Sequence, residues 1–169
     1  MWLRERAILA AKNINVDTFN LKIQQSLLGN EILFNSIDTV TDPDKAINYP
    51  VEFLNSLDLP GMPLHNLRLK IGSPIILLRN LNAPKPKLCN GTRLVIKKIM
   101  GNVLEAIILN GKIKVEVVLL PRIPMIPSDS PILFRPLQFL ILLTFAMTIN
   151  KSQAYSIPSI NLIVLFDSD

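Results

Sequence analysis

The sequence predicts an α/β opening followed by a small β-barrel. Three observations carry that expectation. The apolar run Arg6 to Ala10 leads through the polar Lys12-Asn13-Ile14-Asn15 into apolar residues at helical spacing, Phe19, Ile23 and Leu27. Between Pro74 and Leu119, successive apolar runs are divided by Gly101-Asn102 and Asn110-Gly111. Asn-Gly between apolar runs is the strongest short hairpin signal, because both turn residues need positive φ. Thirteen prolines against six glycines break the chain too often for long helices.

The elements follow in order. Arg6 to Ala10 reads as a short buried strand. Asn15 or Asp17 can cap the helix that carries Phe19, Ile23 and Leu27, and Gly29 sits where a helix C-terminus favours it. Thr41-Asp42-Pro43-Asp44 reads as a turn. Pro50 suits a helix start, and Val51 to Leu57 allows about two turns. Pro74 to Arg79 is a strand, and Ala83-Pro84-Lys85-Pro86-Lys87 must be a loop, because proline does not fit inside a sheet. Arg93 to Ile99, Val103 to Leu109 and Lys112 to Leu119 then form a meander, which with the Pro74 strand can curl into a barrel. Pro121, Pro124, Pro127, Pro131 and Pro136 keep the next stretch extended. Leu137 to Ile149 is too short to span a membrane, which takes about 20 apolar residues, so it reads as a core segment. Ile160 to Phe166 reads as a buried strand, and no membrane partner is expected.

Composition narrows the function. The chain has 169 residues, 49% of them apolar, with a mean hydropathy of +0.36, which excludes a disordered tail and is high for a free-standing soluble domain. One cysteine, Cys89, excludes a disulfide framework, and with the one histidine, His65, it excludes a His/Cys-rich zinc site. The net charge of +5 is uneven. Residues 1–58 hold eight acids against five bases, whereas Leu59 to Leu104 holds no acid and eight bases: Arg68, Lys70, Arg79, Lys85, Lys87, Arg93, Lys97 and Lys98. Such a window attracts a polyanion, and nucleic acid is the usual one; a solvated basic face is the other reading.

Complete catalytic sets are absent from the sequence. Glycines at 29, 61, 72, 91, 101 and 111 give no G-x-x-x-x-G-K-[ST] and no G-x-G-x-x-G. His65, in Pro63-Leu64-His65-Asn66, reads as a surface histidine in a loop with no nearby serine. Cys89 reads as a half-buried small apolar residue, and the acids between Asp38 and Asp44 do not read as a metal site.

Four stretches together resemble the petite-integration-frequency (PIF) type DNA helicases, including those of Helitron-like transposons. They are Arg6 to Asn20; Tyr49-Pro50-Val51-Glu52-Phe53-Leu54-Asn55-Ser56-Leu57 ahead of Gly61-Met62-Pro63-Leu64-His65; Leu67 to Ile96, with Leu88-Cys89-Asn90-Gly91-Thr92-Arg93-Leu94; and Phe145-Ala146-Met147-Thr148-Ile149-Asn150-Lys151-Ser152-Gln153, which is similar to helicase motif V. The resemblance implies part of a second RecA-like domain with an inserted 2B domain, a small barrel like that of Src-homology-3 domains. It divides the chain into 1–66, 67–120, 121–153 and a divergent 154–169.

The resemblance also implies an ATP-driven motor moving 5′ to 3′ on single-stranded DNA, with ATP and Mg²⁺ held mainly by a first RecA-like domain. That domain is expected as a partner, which accounts for the missing P-loop and for excess apolar surface. This chain alone is then expected to hold no cofactor and to lack activity. The resemblance places the protein in the nucleus, with the mitochondrion as the other setting. It implies DNA contacts from Thr148, Asn150, Lys151, Ser152 and Gln153, with Asn90, Gly91, Thr92, Lys97 and Lys98 as further contacts. Lys97 and Lys98 cannot both face the core of one strand, so at least one faces solvent. Gln153 is followed by Ala154-Tyr155-Ser156 where the family has Gly-Gln, no motif VI follows, and the loop Ala83 to Leu88 is longer by two residues. A non-enzymatic nucleic-acid-binding module, or an inert transposon-derived fragment docking on another protein, is the alternative.

Overall fold

The computed structural model describes residues 6–10, 16–40, 49–57, 62–81, 88–109, 116–126, 134–148 and 161–165. These residues form a mostly β structure of four sheets and two short helices.

β1 (Arg6–Ala10) matches the predicted strand and lies at the centre of a parallel sheet, between β12 (Ala146–Thr148) and β13 (Asn161–Leu165). Ala10 pairs with Thr148 on one side and Leu165 on the other, so the three strands end side by side. Ala7, Leu9 and Met147 form its buried cluster.

α1 (Val16–Gln25) follows β1, but it does not dock by the face the apolar spacing predicts. Phe19, Ile23 and Leu27 are only half-buried, while Asn20 and Gln24 are buried. The reason lies in the backbone that the helix covers. Asn20 Nδ2 donates to Leu143 O (3.2 Å) and Ala146 O (3.0 Å), and its Oδ1 accepts from Ala146 N–H (2.7 Å). Gln24 Nε2 donates to Arg68 O (3.0 Å) and Ser73 Oγ (3.1 Å). Buried backbone groups where strands end need partners, and an apolar helix face would leave them without any. The helix ends at Gln25, short of Gly29, and the ammonium of Lys70 closes it by donating to Gln25 O (3.3 Å) and Leu27 O (3.1 Å).

The main core belongs to a five-stranded antiparallel sheet. It comprises β5 (Pro74–Leu77), β6 (Arg93–Met100), β7 (Val103–Ile108), β8 (Val117–Pro121) and β11 (Ile141–Leu143), in the order β11-β5-β6-β7-β8. Leu77, Leu94, Ile96, Leu104, Leu120, Phe139 and Ile141 are among its buried residues. The meander is as predicted, with Gly101 at φ +56° in the turn between β6 and β7. The third strand is described as Val117–Pro121, and residues 112–115 of the predicted strand lie outside the described residues. The expected closed barrel is not found: among the described residues β8 and β11 end the sheet without pairing.

Smaller sheets lie beside it. β2 (Ile32–Asn35) pairs with β4 (Asn66–Leu69), and β3 (Ile37–Val40) and β9 (Ile123–Pro124) flank β10 (Phe134–Gln138). α2 (Val51–Asn55) starts after Pro50 and is shorter than the predicted two turns; its Leu54 packs on Phe134. Gln138, fully buried, donates to Phe34 O (2.9 Å) and His65 O (3.1 Å) and accepts from Phe139 N–H (3.0 Å), joining β10 to the β2–β4 pair. The apolar stretch from Leu137 is indeed core, folded as β11, β12 and the end of β10. Among the described residues, no helix is long and apolar enough to cross a membrane. The predicted turns Thr41–Asp44 and Asn110–Gly111 and the loop Ala83–Lys87 lie outside the described residues, although Leu81 and Leu88 bridge that loop's base.

Candidate nucleic-acid interface

The best-defined group of predicted contacts sits at the start of β6. Cys89, Asn90, Gly91 and Thr92 form a tight turn in which Gly91 adopts φ +85°. Two of its hydrogen bonds close the turn and two tie it to Leu77 and Asn80. Thr92 Oγ1 accepts from Cys89 N–H (3.0 Å), Thr92 N–H donates to Cys89 O (3.0 Å), and Gly91 N–H donates to Leu77 O (2.9 Å). The Asn90 amide donates to Asn80 Oδ1 (2.7 Å), which leaves the exposed Asn90 side chain as the outward group. Gly91 is therefore required by the backbone, and Thr92 stabilises the turn that presents Asn90.

Lys97 and Lys98 are both exposed, which strict alternation along a strand forbids. A register shift between Ile96 and Lys98 explains it: a β-bulge lets two successive side chains face water. Lys97 Nζ is bound to Glu105 Oε1 at 2.6 Å. Lys98 makes no ion pair among the described residues and is the less engaged of the two.

The eight-cation window is much less free than its sequence suggests. Arg68 pairs with Glu31 at 2.9 Å, and both Glu31 and Glu105 come from outside the window. Lys70 is spent on the end of α1. Arg93 is 5% exposed; it donates to Arg6 O (3.1 Å) and Thr144 O (3.4 Å), and burial draws its pKa down to about 10. Arg79 and Lys98 remain as exposed cations, and Lys85 and Lys87 lie outside the described residues.

Thr148, half-buried, closes β12 beside Ala10 and Leu165 at the C-terminal rim of the parallel sheet. Ligands of such sheets bind at that rim, beyond the carboxyl ends of the strands. Asn150, Lys151, Ser152 and Gln153 follow it in the chain and lie outside the described residues. Thr148 stands on a different sheet from Lys97 and Lys98.

His65 differs from the surface residue predicted. Its side chain is 19% exposed and its Nδ1 lies 3.2 Å from Asp38 Oδ2. A serine is also near: Ser36 Oγ donates to Asp38 Oδ1, and Ser36 N–H donates to His65 O (2.8 Å). Sequence reading missed Ser36 because β2–β4 pairing, not proximity in the chain, brings it there. The three do not make a hydrolytic triad, since serine and histidine both bind the carboxylate and the serine proton is not directed at the imidazole. The cluster ties the β2–β3 junction to the chain entering β4. Among the described residues, no three metal-ligating side chains converge.

A basic strand bulge, a glycine turn and the rim of a parallel sheet thus lie on a mostly β fold in which a three-stranded parallel sheet accompanies a five-stranded antiparallel one. Residues 52–99 match the family model of the 2B domain of the DNA helicase Pif1. Solved helicase structures are similar along most of the chain. Pif1 helicase from Candida albicans superposes with a TM-score of 0.64 at 19% identity, covering 95% of this chain and 38% of that one. Unliganded Pif1 from Bacteroides sp gives 0.66 at 16% identity, over 95% and 46%. Bacteroides Pif1 in complex with ADP-AlF3 and single-stranded DNA gives 0.65 at 16%, over 98% and 35%. The chain thus spans less than half the length of these relatives. No curated protein sequence is similar enough to match it. The resemblance drawn from the sequence holds: segment 52–99 matches the Pif1 2B model, and the fold is shared with Pif1 helicases.

Proposed function

We propose that the chain grips single-stranded DNA as one portion of a 5′-to-3′ ATP-driven helicase. In this reading the parallel sheet β12-β1-β13 belongs to a second RecA-like domain, and the five-stranded sheet is the inserted 2B unit. One observation carries the proposal: the segment that matches the Pif1 2B model also contains the bulge that turns Lys97 and Lys98 to solvent together. Phosphate contacts from Lys98, Asn90, the rim residue Thr148 and, further along the chain, Asn150 to Gln153 would position a strand without reading its sequence. Single-stranded DNA and an ADP-AlF3 group are both bound by the Bacteroides relative, which supports a DNA partner and an ATP-using family. ATP and Mg²⁺ belong mainly to a first RecA-like domain, the proposed protein partner, and a nuclear setting follows from the same resemblance.

The test is fluorescence anisotropy of a labelled oligo-dT across a salt series, with ATP turnover measured in parallel. We expect binding that falls steeply with salt, because each neutralised phosphate releases counterions. We expect no turnover by the chain alone. Absence of binding at low salt would refute the DNA reading, and turnover without a partner would refute the division of labour.

A further inference from the structure

The unclosed sheet leaves a backbone edge whose chemistry is specific. Among the described residues, β8 pairs only with β7. Ile108 N–H donates to Glu116 O (3.0 Å) and Arg122 N–H donates to Asn102 O (3.0 Å). In the register Ala106↔Val118 and Leu104↔Leu120, those bonds mean that even-numbered residues of β8 turn their N–H and C=O towards β7. Val117 and Leu119 therefore direct theirs away from the sheet, and no described residue meets them. Their side chains are also open, at 46% and 60% exposure. Pro121 comes next along the same edge, with its carbonyl outward and no N–H to offer.

A groove of about 730 Å³ runs beside this edge. Its lining includes Leu119, Pro121, Ile126, Leu88 and Leu140, with the exposed Arg79 among its polar groups. Arg79 has no acid partner among the described residues, and Leu59 to Leu104 contains no acid.

We infer that β8 and this groove receive an extended peptide segment from an acidic partner protein, added as a further strand. The backbone of the guest pairs with Val117 and Leu119, its alternate apolar side chains enter the groove, and a carboxylate meets Arg79. A strand is favoured over nucleic acid because the edge offers alternating amide donors and acceptors at strand spacing. A second copy is disfavoured on two grounds. The chain carries +5 and would repel itself, and Pro121 would leave a carbonyl of the opposing copy unpaired.

The experiment uses the full chain and a phage-displayed library of short linear peptides, with the most enriched sequence synthesised as the probe. We expect enriched peptides to alternate apolar residues and to carry an acid. Amide hydrogen exchange at Val117 and Leu119 should slow on binding. Leu119→Pro removes one outward donor and none of the β7–β8 bonds, and should weaken binding about tenfold, as the loss of one good hydrogen bond does. Arg79→Glu, away from the strand backbone, should weaken the acidic peptide and keeps the test independent of how the proline variant folds. Failure of any peptide to enrich would overturn the inference, as would unchanged exchange at the two amides in the complex. Displacement of the peptide by oligo-dT, or a concentration-dependent dimer that protects the same amides, would assign the edge to nucleic acid or to a second copy and would also overturn it.

Discussion

Replacing Asn20 with alanine tests the claim that a polar residue, not the apolar stripe, holds α1 in place. The side chain makes three hydrogen bonds, at 2.7, 3.0 and 3.2 Å. Ala146, whose N–H and C=O it satisfies, is 1% exposed. Orphaning a buried backbone group costs about 1–3 kcal/mol, and the half-buried Leu143 carbonyl is rehydrated more cheaply, so the loss comes to roughly 3–5 kcal/mol. At about 2–4 °C per kcal/mol for a chain of this size, Tm should fall by roughly 6–20 °C. Phe19→Ala, which removes half-buried apolar area, should cost only about 1–2 kcal/mol. Urea unfolding of both variants, followed by circular dichroism, gives the comparison. If Phe19→Ala proves the more damaging, or if Asn20→Ala lies within about 0.5 kcal/mol of the parent, the account of how α1 docks is wrong.

Three further outcomes follow from the candidate interface. Lys98→Ala should weaken oligo-dT binding and reduce the magnitude of the salt slope by about one, whereas Lys97→Ala, already paired with Glu105, should change it less; anisotropy across a salt series reads both. Arg93→Ala should show the reverse pattern. It should lower stability by about 2–4 kcal/mol in denaturant titrations, because two carbonyls lose their donor, and leave the DNA salt slope of the still-folded protein unchanged. Gly91→Val forces a β-branched side chain to φ +85° and should cost about 1–3 kcal/mol in thermal unfolding, with a matching loss of DNA affinity only if the Asn90 turn touches the strand.

Local signals carried much of the fold. The strand at Arg6–Ala10, the Pro50 helix start and the meander turning at Gly101 were all legible, because each depends on neighbours in the chain. Contacts made by long-range pairing were not. Nothing near Asn20 or Gln24 announces that strand ends lie beneath them, so the apolar residues at 19, 23 and 27 outweighed the polar pair four residues apart. Charge counting failed for the same reason. Lys70 and Arg93 look like surface cations in sequence, yet one closes a helix and the other crosses from β6 to the start of β1. Alternation predicted at least one solvent-facing lysine of the pair at 97–98, which holds; the bulge that exposes both leaves no mark in residue type.

The two amide side chains of α1 stand one helical turn apart, about 6 Å along the axis, and between them they reach both sheets, Asn20 through Leu143 as well as Ala146. Asn20 holds the start of β12, and Gln24 holds the chain around Ser73 that feeds β5. The helix thereby fastens the parallel sheet to the five-stranded one through amide side chains rather than through apolar packing, so the bulge lysines and the end of β12 belong to sheets that share one brace.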